Sequence, residues 1–330
     1  MNNQPKPDMK KIFLCACLLL TAMAAPLHAA EKVRFVLYTD LHHDLIPDRP
    51  EALRTITRVA EKRKADFLID LGDQAFPLPQ NRVIREILDS AKMPIYHVLG
   101  NHDMDRTDKQ AYMDFFGMTA PNYYFDKGNF RFIVLDTNYF LDKEGTEHPY
   151  ANGNYYGAPV LDHVGGGQVE WLRGLLADRS KIVMIFSHAP LNDKYDGVAQ
   201  YMGIHRIITQ ARDNGTRIAA VVGGHNHSDS HFLIDGINYL QMNSVSYIWG
   251  GDEFRSMANY PDSVYRQYPA LQYCIPYAVP LYAVFTVDSR GNLTIEGVEG
   301  SYLPPAPDAE KLAKKPYRCT PSQDSRKLKF

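Results

Sequence analysis

Five apolar runs in this chain, each short enough for one buried strand, end abruptly in aspartate, asparagine or histidine. They cover 33–39, 65–71, 94–99, 182–186 and 217–222. The residues immediately after them are Asp40-Leu41-His42, Gly72-Asp73, Gly100-Asn101-His102-Asp103, Ser187-His188 and Gly223-Gly224-His225-Asn226-His227. Between the first runs, Pro50 opens a segment in which Leu53, Ile56, Val59 and Ala60 recur at helical spacing. The stretch 82–91 repeats that pattern with Ile84, Ile87 and Leu88 inward. The order is therefore β-α-β-α-β, an α/β arrangement. Because ligands of open α/β sheets bind beyond the carboxyl ends of the strands, the five polar clusters are expected to meet on one rim.

Nearly all the clustered residues are metal-ligand types. Asp40 and His42 are one residue apart, so in an extended segment their side chains share a face and can grip one ion; His225 and His227 repeat the spacing. A carboxylate such as Asp73 can bridge two cations, Asn101 supplies a neutral amide oxygen, and imidazoles suit zinc, iron or manganese. No thiolate is in the set, which argues against a closed structural zinc site. Taken singly, each cluster reads as a turn, a helix cap or a hydrogen-bonded histidine. Five in order, each after an apolar run, read as enough ligands for two ions.

The rest of the chain sets the context. Lys10 and Lys11 precede an apolar run at 12–25 and small residues near 30, the pattern of a secretory signal peptide, so the protein is expected to be exported, periplasmic or secreted. The run is shorter than a membrane span needs and no second one follows. Leu14-Cys15-Ala16-Cys17 gives lipid anchoring as a lesser alternative. Removal of 1–30 leaves Cys274 and Cys319, which could pair or stay as separate thiols. Lys plus Arg number 36 against 38 acids with no long charge run, so nothing points to nucleic acid or a membrane surface; a discrete small substrate or an exposed ester is the expected partner.

Further on, 107–116, 168–176 and 201–212 read as helices, and Asp126-Lys127-Gly128-Asn129, Asp235-Gly236 and Arg290-Gly291 as hairpin turns. The stretch 138–167 lacks periodicity and is read as a substrate-side loop. Together with 247–277 it is rich in aromatics: Tyr155, Tyr156, Tyr247 and Trp249 are candidate stacking surfaces for a base or sugar or else packing at the rim, and Arg255 and Arg266 are candidate substrate contacts or else solvated charges. The composition divides the chain into a signal (1–30), a catalytic domain (31–303) and a Pro- and Lys-rich tail (304–330).

The ordered pattern Asp40-x-His42, Gly72-Asp73, Gly100-Asn101-His102-Asp103, His188 and Gly224-His225-x-His227 resembles the calcineurin-like metallophosphoesterase superfamily over about 33–228. The resemblance implies a four-layer αββα sandwich, two mixed β-sheets flanked by helices, with a dimetal site at one edge. It implies that Asp40, His42 and His227 bind one metal, that Asn101, His188 and His225 bind the second, and that Asp73 bridges them. It also implies that two ions (manganese, iron or zinc) about 4 Å apart activate a hydroxide for in-line attack on phosphorus. His102 matches the family's proton donor to the leaving oxygen, and Asp103 is the neighbour expected to orient it. His43 lies outside the motif. Purple acid phosphatases carry a metal-binding tyrosine three residues after the bridging aspartate and lack the first-motif histidine; here those positions hold Phe76 and His42, nearer the branch of cyclic-nucleotide phosphodiesterases and manganese-dependent nucleotide-diphosphate hydrolases. The expectation is a phosphodiesterase or phosphomonoesterase, with the diester favoured. The alternative is a non-catalytic exported metal-binding protein on the same scaffold.

Overall fold

A computed structural model describes Met1 and residues 30–330 apart from 195. The signal-peptide expectation falls on residues outside that description. The first half runs β1 (Lys32–Tyr38), α1 (Arg49–Lys62), β2 (Phe67–Asp70), α2 (Arg82–Asp89), β3 (Ile95–His97), α3 (Lys109–Phe116), β4 (Tyr123–Lys127) and β5 (Phe130–Val134). Three short strands follow, β6 (Tyr139–Leu141), β7 (Glu147–Pro149) and β8 (Val160–His163), then α4 (Gln168–Leu176), β9 (Ile182–Phe186), α5 (Tyr201–Asp213) and β10 (Arg217–Gly223). The remainder comprises β11 (Ser230–Ile234), β12 (Ile237–Gln241), β13 (Tyr247–Trp249), α6 (Asp262–Gln267), β14 (Cys274–Pro276), β15 (Ala283–Asp288), β16 (Asn292–Glu296), α7 (Ala309–Leu312) and β17 (Arg326–Lys329).

Two six-stranded mixed sheets form, in the orders β17-β16-β15-β1-β2-β3 and β11-β12-β10-β9-β5-β4. Side chains alternate faces along a strand, and that alternation builds the layers. Val33, Phe35 and Leu37 of β1 meet Phe130, Phe132 and Val134 of β5 and Met184 and Phe186 of β9 in one core between the sheets. Val36 and Tyr38, on the opposite face of β1, pack under Leu53 and Ile56 of α1, Ile84 and Ile87 of α2 and Tyr112 and Phe116 of α3. Ile133, Val183 and Ile185 face the other way, under Leu172 of α4 and Ile204 and Ile208 of α5. The result is helix, sheet, sheet, helix. At its centre Phe35 stacks between Phe67 and Phe285 at 4.7 and 5.0 Å.

Three segments are more regular than their composition suggests. The stretch read as a loop at 138–167 holds a three-stranded sheet, β7-β6-β8. Within 247–277, β13 pairs antiparallel with β14, and α6 lies between them in sequence. The segment set apart as a tail belongs to the body: β17 pairs along β16, from Asn292 with Lys329 to Ile295 with Arg326. Asp229 anchors it, accepting hydrogen bonds from Arg318, Gln323 and Arg326. Cys274 and Cys319 are both free thiols.

Candidate metal centre

Strands β1, β2 and β3 run parallel in one sheet, and β9 and β10 run parallel in the other. Their carboxyl ends are laced into one floor: Asp40 N–H donates to the Gly72 carbonyl at 3.0 Å, His42 N–H to Asp73 at 2.9 Å, and Gly224 N–H to His188 at 2.8 Å. The turns are tight. Gly72 has φ +101°, and a Cβ there would strike the Gly100 backbone, while a Cβ on Gly100 would strike the Asp73 carboxylate. Asp40, His42, Asp73, His225 and His227 have φ of 56°, 50°, 55°, 70° and 48°. That left-handed region costs a non-glycine residue about 1 kcal/mol and is populated chiefly where the surroundings demand it. The strain turns five side chains toward a single point.

The atoms form two adjoining triangles. In the first, His227 Nε2 lies 3.2 Å from Asp40 Oδ1 and 3.2 Å from His42 Nε2, and His42 Nε2 lies 3.7 Å from Asp40 Oδ1. In the second, His188 Nε2 is 3.0 Å from Asn101 Oδ1, and His225 Nδ1 is 3.1 Å from that oxygen and 3.2 Å from His188 Nε2. Asp73 Oδ2 sits between them, 3.6 Å from His42 Nε2 and 3.3 Å from His188 Nε2. All seven candidate ligands are thus brought together. Ligands about 2.1 Å from one ion stand roughly 3.0–3.5 Å apart, which matches all of these separations except the two that His42 makes with Asp40 and Asp73.

The donor chemistry also fits a cation. His188 Nδ1 donates to the Leu71 carbonyl at 2.7 Å and His227 Nδ1 to the Tyr247 carbonyl at 2.9 Å, so both Nε2 lone pairs point into the cluster. Asp40 Oδ2 accepts from Thr39 Oγ1 at 2.6 Å and from His225 N–H at 3.2 Å. Its Oδ1 is buried without a hydrogen-bond partner. Asp40 Oδ1 is an acceptor left for a cation, and the groups Asp40-His42-His227 and Asp40-Asp73-His188 are each compact enough to hold a metal ion. In the metal-free protein, burial opposes charge on His188, but Asp73 outweighs it and raises the ring to about 10. Burial likewise opposes ionisation of Asp40, and His227 and His42 hold it well below the usual carboxylate range all the same.

His102 borders this cluster, its ring 5.5 Å from that of His42. Burial works against its charged form, but the carboxylates of Asp73 and Asp105 raise it to about 9. The carboxylate that touches the ring is not that of Asp103. Asp103 accepts from the backbone N–H groups of Asp73, Gln74 and Gly100 at 3.1, 2.9 and 2.8 Å and so ties the second and third motifs together. Asp105 Oδ2 lies 2.8 Å from His102 Nδ1. The 3-10 turn His102–Met104 explains the exchange, because side chains at i and i+3 eclipse in such a turn. That i, i+3 relation was the available signal for Asp105.

A cleft of about 550 Å³ opens over the cluster, bordered by His42, Asp73, His102, His225 and His227, with Tyr156, Tyr247, Trp249 and Phe76 on its walls. Tyr247 is buried and packs against His42 and His227 at 5.2 and 4.7 Å. Tyr155 turns away from the cleft, its hydroxyl 2.5 Å from Asp105 Oδ1. Arg255 is not on the wall either: it donates to Gln272 at 2.7 Å and lies over Tyr273. Neither His43 nor Arg266 reaches the cleft lining. Tyr317, from the segment read as a tail, does line it, and nothing in the local sequence pattern marked that residue.

The model of the calcineurin-like phosphoesterase family matches residues 33–229, more than half of the chain. The chain belongs to this family. Among solved structures, a dimetal phosphatase from Danio rerio is similar with a TM-score of 0.57 and 14% identity, over 82% of this chain and 98% of that one. GAP50, described as the anchor in the inner membrane complex of Plasmodium, is similar with a TM-score of 0.51 and 13% identity, over 81% and 84%. At such identities the likeness is one of fold. No curated protein matches the sequence. Family and geometry together give a metal-dependent phosphoester hydrolase scaffold with a dimetal centre, and among the described residues no helix is long and apolar enough to cross a membrane.

Proposed function

We propose that this phosphoesterase is exported and hydrolyses a small phosphodiester in preference to a monoester. The observation that carries the catalytic reading is the orphaned Asp40 Oδ1 in the first ligand triangle, beneath a cleft that His42, Asp73 and His102 border. When bound, a metal pair supplies Lewis-acid polarisation of the phosphoryl oxygens and a water acidic enough to attack at neutral pH. Asp40, His42 and His227 would hold one ion, Asn101, His188 and His225 the other, with Asp73 between. The buried ring of Tyr247, which lines the cleft, limits bulk water on that floor. His102 faces the cleft with Nε2, since Nδ1 is engaged by Asp105, and is placed to protonate the departing oxygen. A cleft of about 550 Å³ with Tyr156 and Trp249 on its walls suits a discrete ester rather than a polymer.

The test is turnover by the chain beginning after residue 30, loaded with manganese, zinc or iron, on mono- and bis-(4-nitrophenyl) phosphate. The expected result is metal-dependent release from both, faster on the diester. No turnover with any metal refutes the catalytic reading, and faster monoester turnover refutes the diester preference. Export is supported by Lys10 and Lys11 ahead of the apolar run at 12–25. N-terminal mass of the cell-envelope and medium fractions tests it; intact Met1 in the cytosolic fraction alone overturns it.

A further inference from the structure

Asp105 has its two oxygens divided between separate partners. Oδ2 meets His102 Nδ1 at 2.8 Å, and Oδ1 accepts both the Tyr155 hydroxyl at 2.5 Å and the Tyr156 hydroxyl at 3.0 Å. The two rings stack at 4.5 Å, and Tyr155 stacks in turn on Tyr150 at 4.0 Å. The segment that carries them is fastened to the backbone around Asp105: Asn152 N–H donates to Thr107 at 2.7 Å, Gly153 N–H to Met104 at 3.1 Å, and Asp108 bridges to Ala151. Tyr155 is 4% exposed, whereas Tyr156 is 62% exposed and reaches the cleft wall. Everything needed to lock one carboxylate against one imidazole is present, and the lock comes from a segment outside the phosphoesterase motifs.

We propose that Tyr155 and Tyr156 are positioning residues that, through Asp105, hold His102 for proton delivery, and that the physiological ester therefore departs as an aliphatic alcohol. The inference rests on the phosphoesterase reading above. Hydroxyls are donors well suited to holding this carboxylate, because they fix Asp105 by charge-assisted hydrogen bonds without adding a cation that would repel a protonated His102. A phenol-type leaving group departs as a stable anion and gains little from a held proton. An alkoxide is a poor leaving group and gains much, since positioned acid catalysis contributes about 10²–10⁴-fold. In the step itself, the hydroxide oxygen forms its bond to phosphorus as the bond to the alcohol oxygen breaks. The alcohol oxygen keeps the electron pair and takes the proton from His102 Nε2, and the ring is reprotonated from water.

The experiment compares leaving groups in the metal-loaded full-length protein. Tyr155→Phe, the double variant Tyr155→Phe/Tyr156→Phe, and Asp105→Asn are each assayed on a 4-nitrophenyl ester and on the corresponding propyl ester of the phosphate class turned over. The double variant is expected to lose about tenfold or more in kcat on the propyl ester and less than about threefold on the nitrophenyl ester, with metal content unchanged. Asp105→Asn should show the same selectivity with a larger loss. Equal losses on both esters, or no loss on the propyl ester, overturn the inference while leaving the phosphoesterase reading intact. Inactivity of the unsubstituted protein on every ester overturns that reading, and the inference with it.

Discussion

Asp40→Asn should remove most of the stability that the protein gains from metal. The backbone accepts the change, because asparagine tolerates φ near 56° as well as aspartate does. The amide oxygen can take over the two hydrogen bonds that Oδ2 accepts from Thr39 and His225. In the metal-free protein His227 and His42 hold the Asp40 carboxyl well below its usual range, so its charge stabilises the fold at pH 8 and the neutral amide forfeits that contribution. The chelated variant should therefore melt below the chelated parent. The unsubstituted protein at a thousandfold excess of metal over Kd gains about 4 kcal/mol, and the variant should gain far less, having lost an anionic ligand. At the low end of roughly 2–4 °C per kcal/mol for large domains, the parent's gain is about 8 °C in Tm. Differential scanning calorimetry at pH 8, with chelator and then with manganese, reads both effects. A variant whose Tm rises with manganese as much as the parent's would show that Asp40 does not hold the ion.

Asp103→Ala strands three buried amide donors and should lower both Tm and metal content, because the turns carrying Asp73 and Asn101 lose their common tie; unchanged metal stoichiometry by elemental analysis would contradict it. Gly100→Ala pushes a methyl into the Asp73 carboxylate and should abolish metal-dependent turnover with the fold retained by circular dichroism. Asp229→Ala leaves Arg326 only its contact with Asp324 at 3.5 Å and should cost about 2 kcal/mol, less than breaking a fully buried pair because Asp324 and Arg318 are partly exposed; faster proteolysis after Lys315 is the readout. Phe35→Ala opens the stack between the sheets and should cost about 3–5 kcal/mol in urea unfolding.

The floor of the site could be read from sequence for a definite reason. Asp40, Asp73, Asn101, His188, His225 and His227 each follow an apolar run, and parallel strands fix where such residues come out. Periodicity also exposed α1 and α2, whose inward Leu53, Ile56, Ile84 and Ile87 repeat at helical spacing. Asp105 takes the place expected for Asp103 because the chain makes a 3-10 turn after Asn101. The rest of what escaped was set by contacts between segments further apart in sequence. Tyr155 looked like stacking surface, yet its hydroxyl is committed to Asp105, a partner 50 residues away. Arg255 was singled out by charge alone, and charge does not specify whether a guanidinium faces phosphate or, as here, Gln272. Residues 326–329 carry three basic side chains in four and read as a solvated end, although the same residues suit an edge strand, where lysine discourages further pairing.

The place of β1 in its sheet has a consequence for biogenesis. One edge of β1 pairs with β2, close by in sequence, but the other pairs with β15, Lys32 opposite Asp288 through Leu37 opposite Ala283. Until residue 288 has been synthesised, half of β1's backbone groups have no strand to meet, and Phe35 lacks the ring of Phe285. Folding of this sheet must therefore wait for residues about 250 positions further along the chain, and contacts of such long range close slowly. A chain interrupted before Ala283 would present an open, apolar strand edge and should associate with its own copies rather than survive as a partly working enzyme.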